Sequence, residues 1–309
     1  MKTYLITGAT GSLGYNIVKY LSREPDTHIV LAVRNVNNGM KIAKQIGKNT
    51  SVYELDLCSM ESIDKFISSW KYDLAGLINN AGIQIVNETR FTNDKKYEET
   101  FFVNHLAAFK LTIGLLPVLL HGRVLFIGSG THHPDNKAAT MFGFRGAKYE
   151  SIKNCAEGLS KVGSIDQIGR DRYATSKFLN MVSTIELARR ISPGYASFYC
   201  IDPGMMAGTG LVRTAPGYMQ FIWRHILPFA ARFLPETSTP KRSGSTAAWI
   251  MTSDDLNKES GTIFSYNRCS SNVVWEKVFD TEVGRSIVDE SLDMCGLKST
   301  FTDLLANLR

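Results

Sequence analysis

In the stretch "GRDRYATSKFLNMVSTIELARR", Tyr173 and Lys177 stand four residues apart. Side chains at i and i+4 of a helix are neighbours, so a phenol and an ammonium at this spacing share one face. A protonated Lys177 would favour the phenolate and lower the Tyr173 pKa. A tyrosine so tuned can trade a proton near neutral pH. Taken alone, the spacing is better read as an ordinary Tyr and Lys on a half-exposed helix, because it recurs by chance. The rest of the chain has to decide.

A second constellation lies at the start. "TGATGSLGYNIVKYL" sets Gly8, Gly11 and Gly14 between a strand-like run and an apolar helical pattern. Glycine lets backbone approach a pyrophosphate and helix pack close on strand, and the helix N-terminus offers free N–H groups to negative charge. The strand before and the helix after are the context that this motif requires. At the end of the second apolar run, "LAVRN" carries Arg34 and no carboxylate. An acid there would accept from the ribose hydroxyls, whereas an Arg accommodates a 2′-phosphate, so NADPH/NADP+ is expected over NAD(H). In "LDL", Asp56 could accept from an adenine amino group with Leu57 beside it. The competing role for Asp56 is a helix N-cap, for which Ser59 is the better candidate.

These residues need a scaffold. "TYLIT", "HIVLAV", "SVYELDL", "LAGLINNAG", "GRVLFIGS" and "YASFYCIDPG" are short β-branched or apolar runs, as buried parallel strands are. Helical patterns alternate with them, the one holding Tyr173 reading as helix from Arg172. We expect an α/β fold, a doubly wound parallel sheet of Rossmann type with helical insertions at the substrate end. Residues 1–309 read as a single domain, with an insertion over about 131–170 and an aromatic, Pro- and Gly-rich segment over about 205–240. Both interruptions start at carboxyl ends of strands, where ligands bind in such sheets.

The composition, 44% hydrophobic and 21% charged, is that of an ordinary folded protein. The net charge of +6 is spread without a basic tract, so no nucleic-acid partner is expected. Five cysteines show no metal-ligand spacing, no metal site is expected, and the thiols read as free in a reducing compartment. The N-terminus lacks the pattern of a signal peptide, and the stretch nearest a membrane span, "GYMQFIWRHILPFAARFLP", is broken by Arg224, Pro228 and Arg232. A cytoplasmic location is therefore expected, without membrane contact.

As a set and in this order, "TGATGSLG", Asp56, "NNAG" from Asn79 to Gly82, Asn104 in "FFVNHLAAF", Ser129 in "VLFIGS", "YATSK" and "DPG" at Asp202 to Gly204 resemble the short-chain dehydrogenases/reductases over nearly the whole chain. The long insertion and "DPGMMAGTGLVR" look most like the branch of retinol dehydrogenases and light-dependent protochlorophyllide oxidoreductases. The resemblance implies that Tyr173 donates a proton to a substrate carbonyl while Lys177 tunes it and holds the nicotinamide ribose. Ser129 would hydrogen-bond the carbonyl oxygen, and Asn104 would hold a water linking Lys177 to solvent. Cofactor contacts are implied for Gly8, Gly11, Ser12, Leu13, Gly14, Arg34, Asp56, Leu57, Asn80, Ala81, Gly82, Tyr173, Lys177, Pro203, Gly204 and Thr209.

Three features depart from the pattern. The glycine spacing is more usual in extended, epimerase-like members, with Ser12 in place of a glycine. Gly208 stands where a threonine is usual, with Thr209 next to it. Met205 follows the Pro-Gly where protochlorophyllide reductases carry a cysteine, and a thioether donates no proton. The aromatics from Tyr218 to Phe233, Trp223 among them, read either as a mobile lid over a bulky apolar substrate or as surface helices packed on the sheet edge. Met205, Trp223 and His132 are the candidate substrate contacts, although polar loop residues are the commoner explanation for His132. The activity expected is NADPH-dependent carbonyl reduction of a bulky apolar small molecule, with a homo-oligomer left open. The alternatives are reduction of an activated C=C bond and a non-catalytic NADP(H)-binding regulator.

Overall fold

Six of the apolar runs form strands: β1 (Lys2–Thr7), β2 (Thr27–Val33), β3 (Thr50–Glu54), β4 (Gly76–Asn79), β5 (Gly122–Ile127) and β6 (Ala196–Asp202). They pair in parallel, in the order β3-β2-β1-β4-β5-β6. The computed structural model describes residues 1–47, 49–94, 96–159, 162–206, 236–257 and 259–307. Within these a short parallel pair, β7 (Met205–Met206) and β8 (Thr237–Ser238), stands apart. A seventh sheet strand that the pattern of runs did not reveal, β9 (Thr262–Ser265), extends the sheet beyond β6.

The sheet is buried on both faces. Leu5 joins one apolar cluster and its neighbours Tyr4 and Ile6 join the other, as alternation along a strand requires. Helices α1 (Ser12–Leu21) and α2 (Val36–Ile46) pack with the second cluster, α3 (Met60–Ser69) with the first. Helix α4 (Glu99–Phe101) runs through a π-helical turn, Phe102–Leu106, into α5 (Ala107–Leu115) and a 3-10 turn at Leu116–Val118. This composite, Glu99–Val118, is the one described helix long and apolar enough to cross a membrane, and 83% of its most apolar window is buried inside the protein. Among the described residues, the stretch nearest a span is this core helix. The segment singled out from the sequence lies outside the described residues.

The insertion after β5 folds as a 3-10 turn (Gly130–His132), α6 (Lys137–Thr140) and α7 (Ile152–Ala156). Helix α8 (Ile165–Arg190) begins earlier than the expected Arg172, because Ser164 caps it by accepting from the Gln167 N–H. The chain closes with α9 (Pro240–Thr252), α10 (Thr281–Cys295) and α11 (Lys298–Asn307), α10 packing on α8. All five cysteines are free. The strand order reverses between β1 and β4, so a crevice opens where β1, β4, β5 and β6 end.

Candidate functional site

The turn after β1 is built to expose backbone. Gly8 has φ +65, and a Cβ there would come within 2.7 Å of the Ala81 Cα. A Cβ on Gly14 would sit 2.5 Å from the Gly8 carbonyl oxygen and 2.9 Å from the Ala9 Cα, so only glycine lets α1 seat this closely on the strand end. Asn80 donates to the carbonyls of Thr7 and Gly8 (2.9 and 3.0 Å), and Thr7 Oγ1 accepts from the Ala81 N–H at 3.0 Å. The Asn80 side chain thus braces the turn. Gly11 caps α1 without a side-chain hydrogen bond, and the first turn carries no acid. N–H groups of that turn, from Ser12 and Leu13 onward, are left to an anion. Replacing Gly14 with Ala should force the helix off the turn and weaken nicotinamide-cofactor binding at least about tenfold, roughly 1.4 kcal/mol, as read by fluorescence titration. Unchanged affinity would show that the turn carries no ligand.

Arg34 follows β2 directly, is exposed, and makes no ion pair among the described residues. Its neighbour Asn35 caps α2. Asp56 lies two residues past the end of β3, and its Oδ1 accepts from the Cys58 N–H at 3.0 Å. Ser59 is the cap of α3, accepting from the Ser62 N–H. Asp56 therefore shapes the loop that presents it and Leu57, and its other oxygen has no partner among the described residues.

Across the crevice, Tyr173 and Lys177 do share one face of α8, with the Lys177 Nζ 5.4 Å from the Tyr173 ring centre. Ser129 lies two residues past the end of β5, in extended backbone. Its hydroxyl faces Tyr173, whose pKa it lowers, and accepts from the Thr131 N–H and hydroxyl (3.3 and 3.1 Å). Asn104 sits in the π-helical turn, an irregularity often found at functional sites. Its Nδ2 donates to the Ile83 carbonyl and to Ser176 Oγ (both 2.9 Å), while its Oδ1 accepts from the Ile83 N–H at 2.7 Å. Both amide hydrogens are used, so Oδ1 keeps one lone pair for a water. A Cβ on Gly82 would lie 3.2 Å from that Oδ1 and 3.5 Å from Lys177 Nζ, which places Gly82 between the two side chains.

The electrostatics correct one expectation. Burial raises the Tyr173 pKa above its ordinary 10, the negative charge of Asp202 raises it further, and only the Ser129 hydrogen bond opposes them. Burial also pushes Lys177 down to about 8, against support from Cys200 and Asp202. The ammonium donates to the Ile127 carbonyl at 3.2 Å, so it does not lower the tyrosine as spacing alone suggested. Tyr173 accordingly holds its proton at neutral pH, the state that a donor needs.

His132 requires a second correction. It is fully buried, its Nδ1 meets the Ser129 carbonyl at 2.6 Å, and its Nε2 accepts from the Trp275 N–H at 3.1 Å. Burial pushes its pKa down to about 4. With both ring nitrogens occupied by backbone, His132 ties β5 to the segment before α10 and has no ring atom left for a substrate. Apolar contact comes instead from the insertion, where Phe144 lies 6.1 Å from the Tyr173 ring and clusters with Ala139, Phe142 and Ala174. Met205 enters β7, its N–H donating to the Glu236 carbonyl at 2.9 Å. Pro203 and Gly204 (φ +68) turn the chain at the end of β6. Thr209, Trp223 and most of the segment expected as a lid lie outside the described residues.

One residue that the motifs pointed past is Asp202. Its Oδ1 accepts from the Gly204 N–H at 2.9 Å, and a Cβ on Gly130 would lie 3.1 Å from its Oδ2. The available signal is an acid that closes a seven-residue buried strand directly before a Pro-Gly turn.

Residues 2–149 match the short chain dehydrogenase family. The chain is 28% identical to the chloroplastic protochlorophyllide reductase of Pisum sativum, over 95% of this chain and 77% of that protein. It is 27% identical to the one of Chlamydomonas reinhardtii, over 94% and 74%. Among solved structures, a short-chain dehydrogenase/reductase of Brucella melitensis aligns with a TM-score of 0.62 at 15% identity, covering 89% of this chain and 97% of that one. The 3-ketoacyl-(acyl-carrier-protein) reductase of the same organism, complexed with NADH, aligns with a TM-score of 0.58 at 17% identity, covering 86% and 98%. These structural likenesses are likenesses of fold.

Proposed function

The chain belongs to the short-chain dehydrogenase/reductase family of oxidoreductases, and on that premise we propose that it uses NADPH to reduce a carbonyl of a bulky, apolar small molecule. The observation that carries this reading is the paired hydroxyls of Ser129 and Tyr173, with Lys177 beside them at the strand ends. Two hydroxyls and an ammonium suit one oxygen that becomes negative.

The crevice fits a nicotinamide dinucleotide. The uncapped first turn of α1 and the glycine-lined turn suit a pyrophosphate, and exposed Arg34 suits a 2′-phosphate. Gly82, Lys177, Pro203 and Gly204 would hold the nicotinamide half. When bound, reduced nicotinamide supplies the hydride. Ser129 then holds the carbonyl oxygen, and Tyr173 gives it a proton as negative charge develops, an interaction that is strongest in the transition state. Lys177, ionised below about pH 8, would hold the nicotinamide ribose beside Tyr173. Phe142 and Phe144 offer the substrate an apolar wall next to Tyr173.

A second reading has its own support: relatives are protochlorophyllide reductases. In that case Tyr173 would protonate a carbon of an activated C=C bond. Met205, standing after Gly204, has no proton to give, so Tyr173 would be the donor in either reaction. The test is a screen of the purified protein with NADPH against aromatic and polycyclic ketones, quinones and enones, with products identified. Alcohols support carbonyl reduction, saturated ketones the second reading. NADPH binding without its oxidation by any compound would overturn both in favour of a regulator.

Cofactor choice gives a separate prediction. NADPH should bind more tightly than NADH, and Arg34→Ala should remove most of the difference. A charge-assisted contact to phosphate is worth roughly 1.5–3 kcal/mol, about ten- to a hundredfold in affinity. Equal affinity of the unaltered protein for both cofactors would sink the assignment.

A further inference from the structure

Arg145, Arg170 and Arg172 flank the insertion after β5, and two of them are engaged. Arg145 grips Asp171 through Nε and Nη2 (3.1 and 2.6 Å), and Gln167 also donates to that carboxylate at 3.0 Å. Arg172 donates to the Gly158 carbonyl at 2.8 Å, to the Glu88 carbonyl at 3.3 Å and to Thr89 Oγ1 at 2.7 Å. Arg170 is different. It is half-buried, forms no ion pair or hydrogen bond among the described residues, and its Nε is closed off from water without a partner. Its neighbour in sequence, Asp171, is already taken by Arg145. A donor that has lost water and gained nothing is costly until a ligand pairs it.

The place of Arg170 shows what that ligand would be part of. A Cβ on Gly143 would fall 3.1 Å from Arg170 Nε and 3.4 Å from its Cζ, so the guanidinium lies on the backbone of this glycine, at φ +80. Gly143 separates Phe142 from Phe144, the apolar wall whose Phe144 ring stands 6.1 Å from the Tyr173 ring. On α8, Arg170 and Tyr173 are three residues apart and share a face. Helix side chains lean toward the N-terminus, so the Tyr173 ring leans toward the turn that carries Arg170.

We propose that Arg170 is a substrate-binding residue: its guanidinium takes a carboxylate carried by the apolar substrate, about one helical turn from the carbonyl that Tyr173 protonates. This rests on the reductase reading above and narrows its substrate to an apolar keto acid. A guanidinium meets both oxygens of a carboxylate with two parallel N–H groups, which fixes orientation as well as affinity. The ketone end is then held at Ser129 and Tyr173, the body at Phe142 and Phe144, and the acid end at Arg170.

The test compares para-benzoylbenzoate with its methyl ester, two aromatic ketones that differ only in the charge. Binding to the protein loaded with NADP+ is read by calorimetry, so that no turnover occurs. The acid should bind at least about tenfold more tightly than the ester, and the gap should narrow as salt is raised. Arg170→Met keeps the stem and removes the fork, and should bring the acid to the affinity of the ester while leaving the ester as it was. Arg170→Lys should keep only part of the preference. Equal affinity of the unaltered protein for the two compounds, binding of neither, or a preference that survives in Arg170→Met would each overturn the proposal. A protein that prefers the acid but oxidises no NADPH with any ketone loses the reductase reading and keeps the carboxylate site. One that reduces acid and ester with the same KM keeps the reductase reading and loses the site.

Discussion

Tyr173→Phe is expected to lower turnover by roughly 10²–10⁴-fold, the range attributed to positioned general acids, while NADPH binds almost as before. The substitution keeps the ring against Phe144 and Ala174 and deletes the hydroxyl that meets Ser129. Loss of one hydroxyl contact costs at most about 1 kcal/mol of stability, too little to unfold the chain. Because burial and Asp202 both raise the tyrosine's pKa, the phenol is protonated through the neutral range, and its loss removes the proton source at every pH tested. Steady-state rates with a substrate found in the screen, together with a cofactor titration, decide the matter. A variant that reduced its substrate at near the original rate would place the donor elsewhere.

Lys177→Met should abolish most turnover, by roughly 10²-fold or more, weaken cofactor binding, and make the protein more stable. The sign follows from where the proton sits. The folded state holds Lys177 at about 8 against an ordinary 10.5, so the unfolded chain binds that proton more tightly. The penalty is complete below about pH 8, shrinks as pH rises toward the ordinary value, and vanishes above it. A depression of this size corresponds to roughly 3 kcal/mol, and a neutral side chain of similar length escapes it. The Ile127 carbonyl is not orphaned, because Asn180 also donates to it at 3.2 Å. At pH 7 the variant should melt several degrees higher, and the gain should disappear in alkaline buffer. A less stable variant at pH 7 would mean that the ammonium is already compensated in the folded state.

Much of this protein was written in local patterns. Runs such as "HIVLAV" and "YASFYCIDPG" announced parallel strands, because a strand covered on both faces leaves an unbroken apolar word. The glycine turn was equally readable. Gly8 needs a positive φ and Gly14 cannot carry a side chain, and both demands fall within a few residues of the strand. Ser59 as a helix cap and the shared face of Tyr173 and Lys177 are likewise matters of spacing along one element.

What the chain could not spell out depends on distant neighbours. The four residues of β9 are too few to stand out, and they become a strand only by pairing with β6, some sixty residues earlier. The first turns of α8, "IDQIGRD", carry no apolar stripe, because packing surrounds much of that helix and Ser164 sets its start. Charge states are the clearest case. Spacing put an ammonium next to a phenol and implied that one tunes the other, yet a pKa is set by desolvation and by charges brought in from other elements. Burial raised Tyr173, lowered Lys177 and neutralised His132 against the Trp275 backbone, while Asp202 and Glu236 arrived from separate strand ends. Sequence fixes which groups are present and their local order. Only the closed fold decides which of them lose water and which charges they then face.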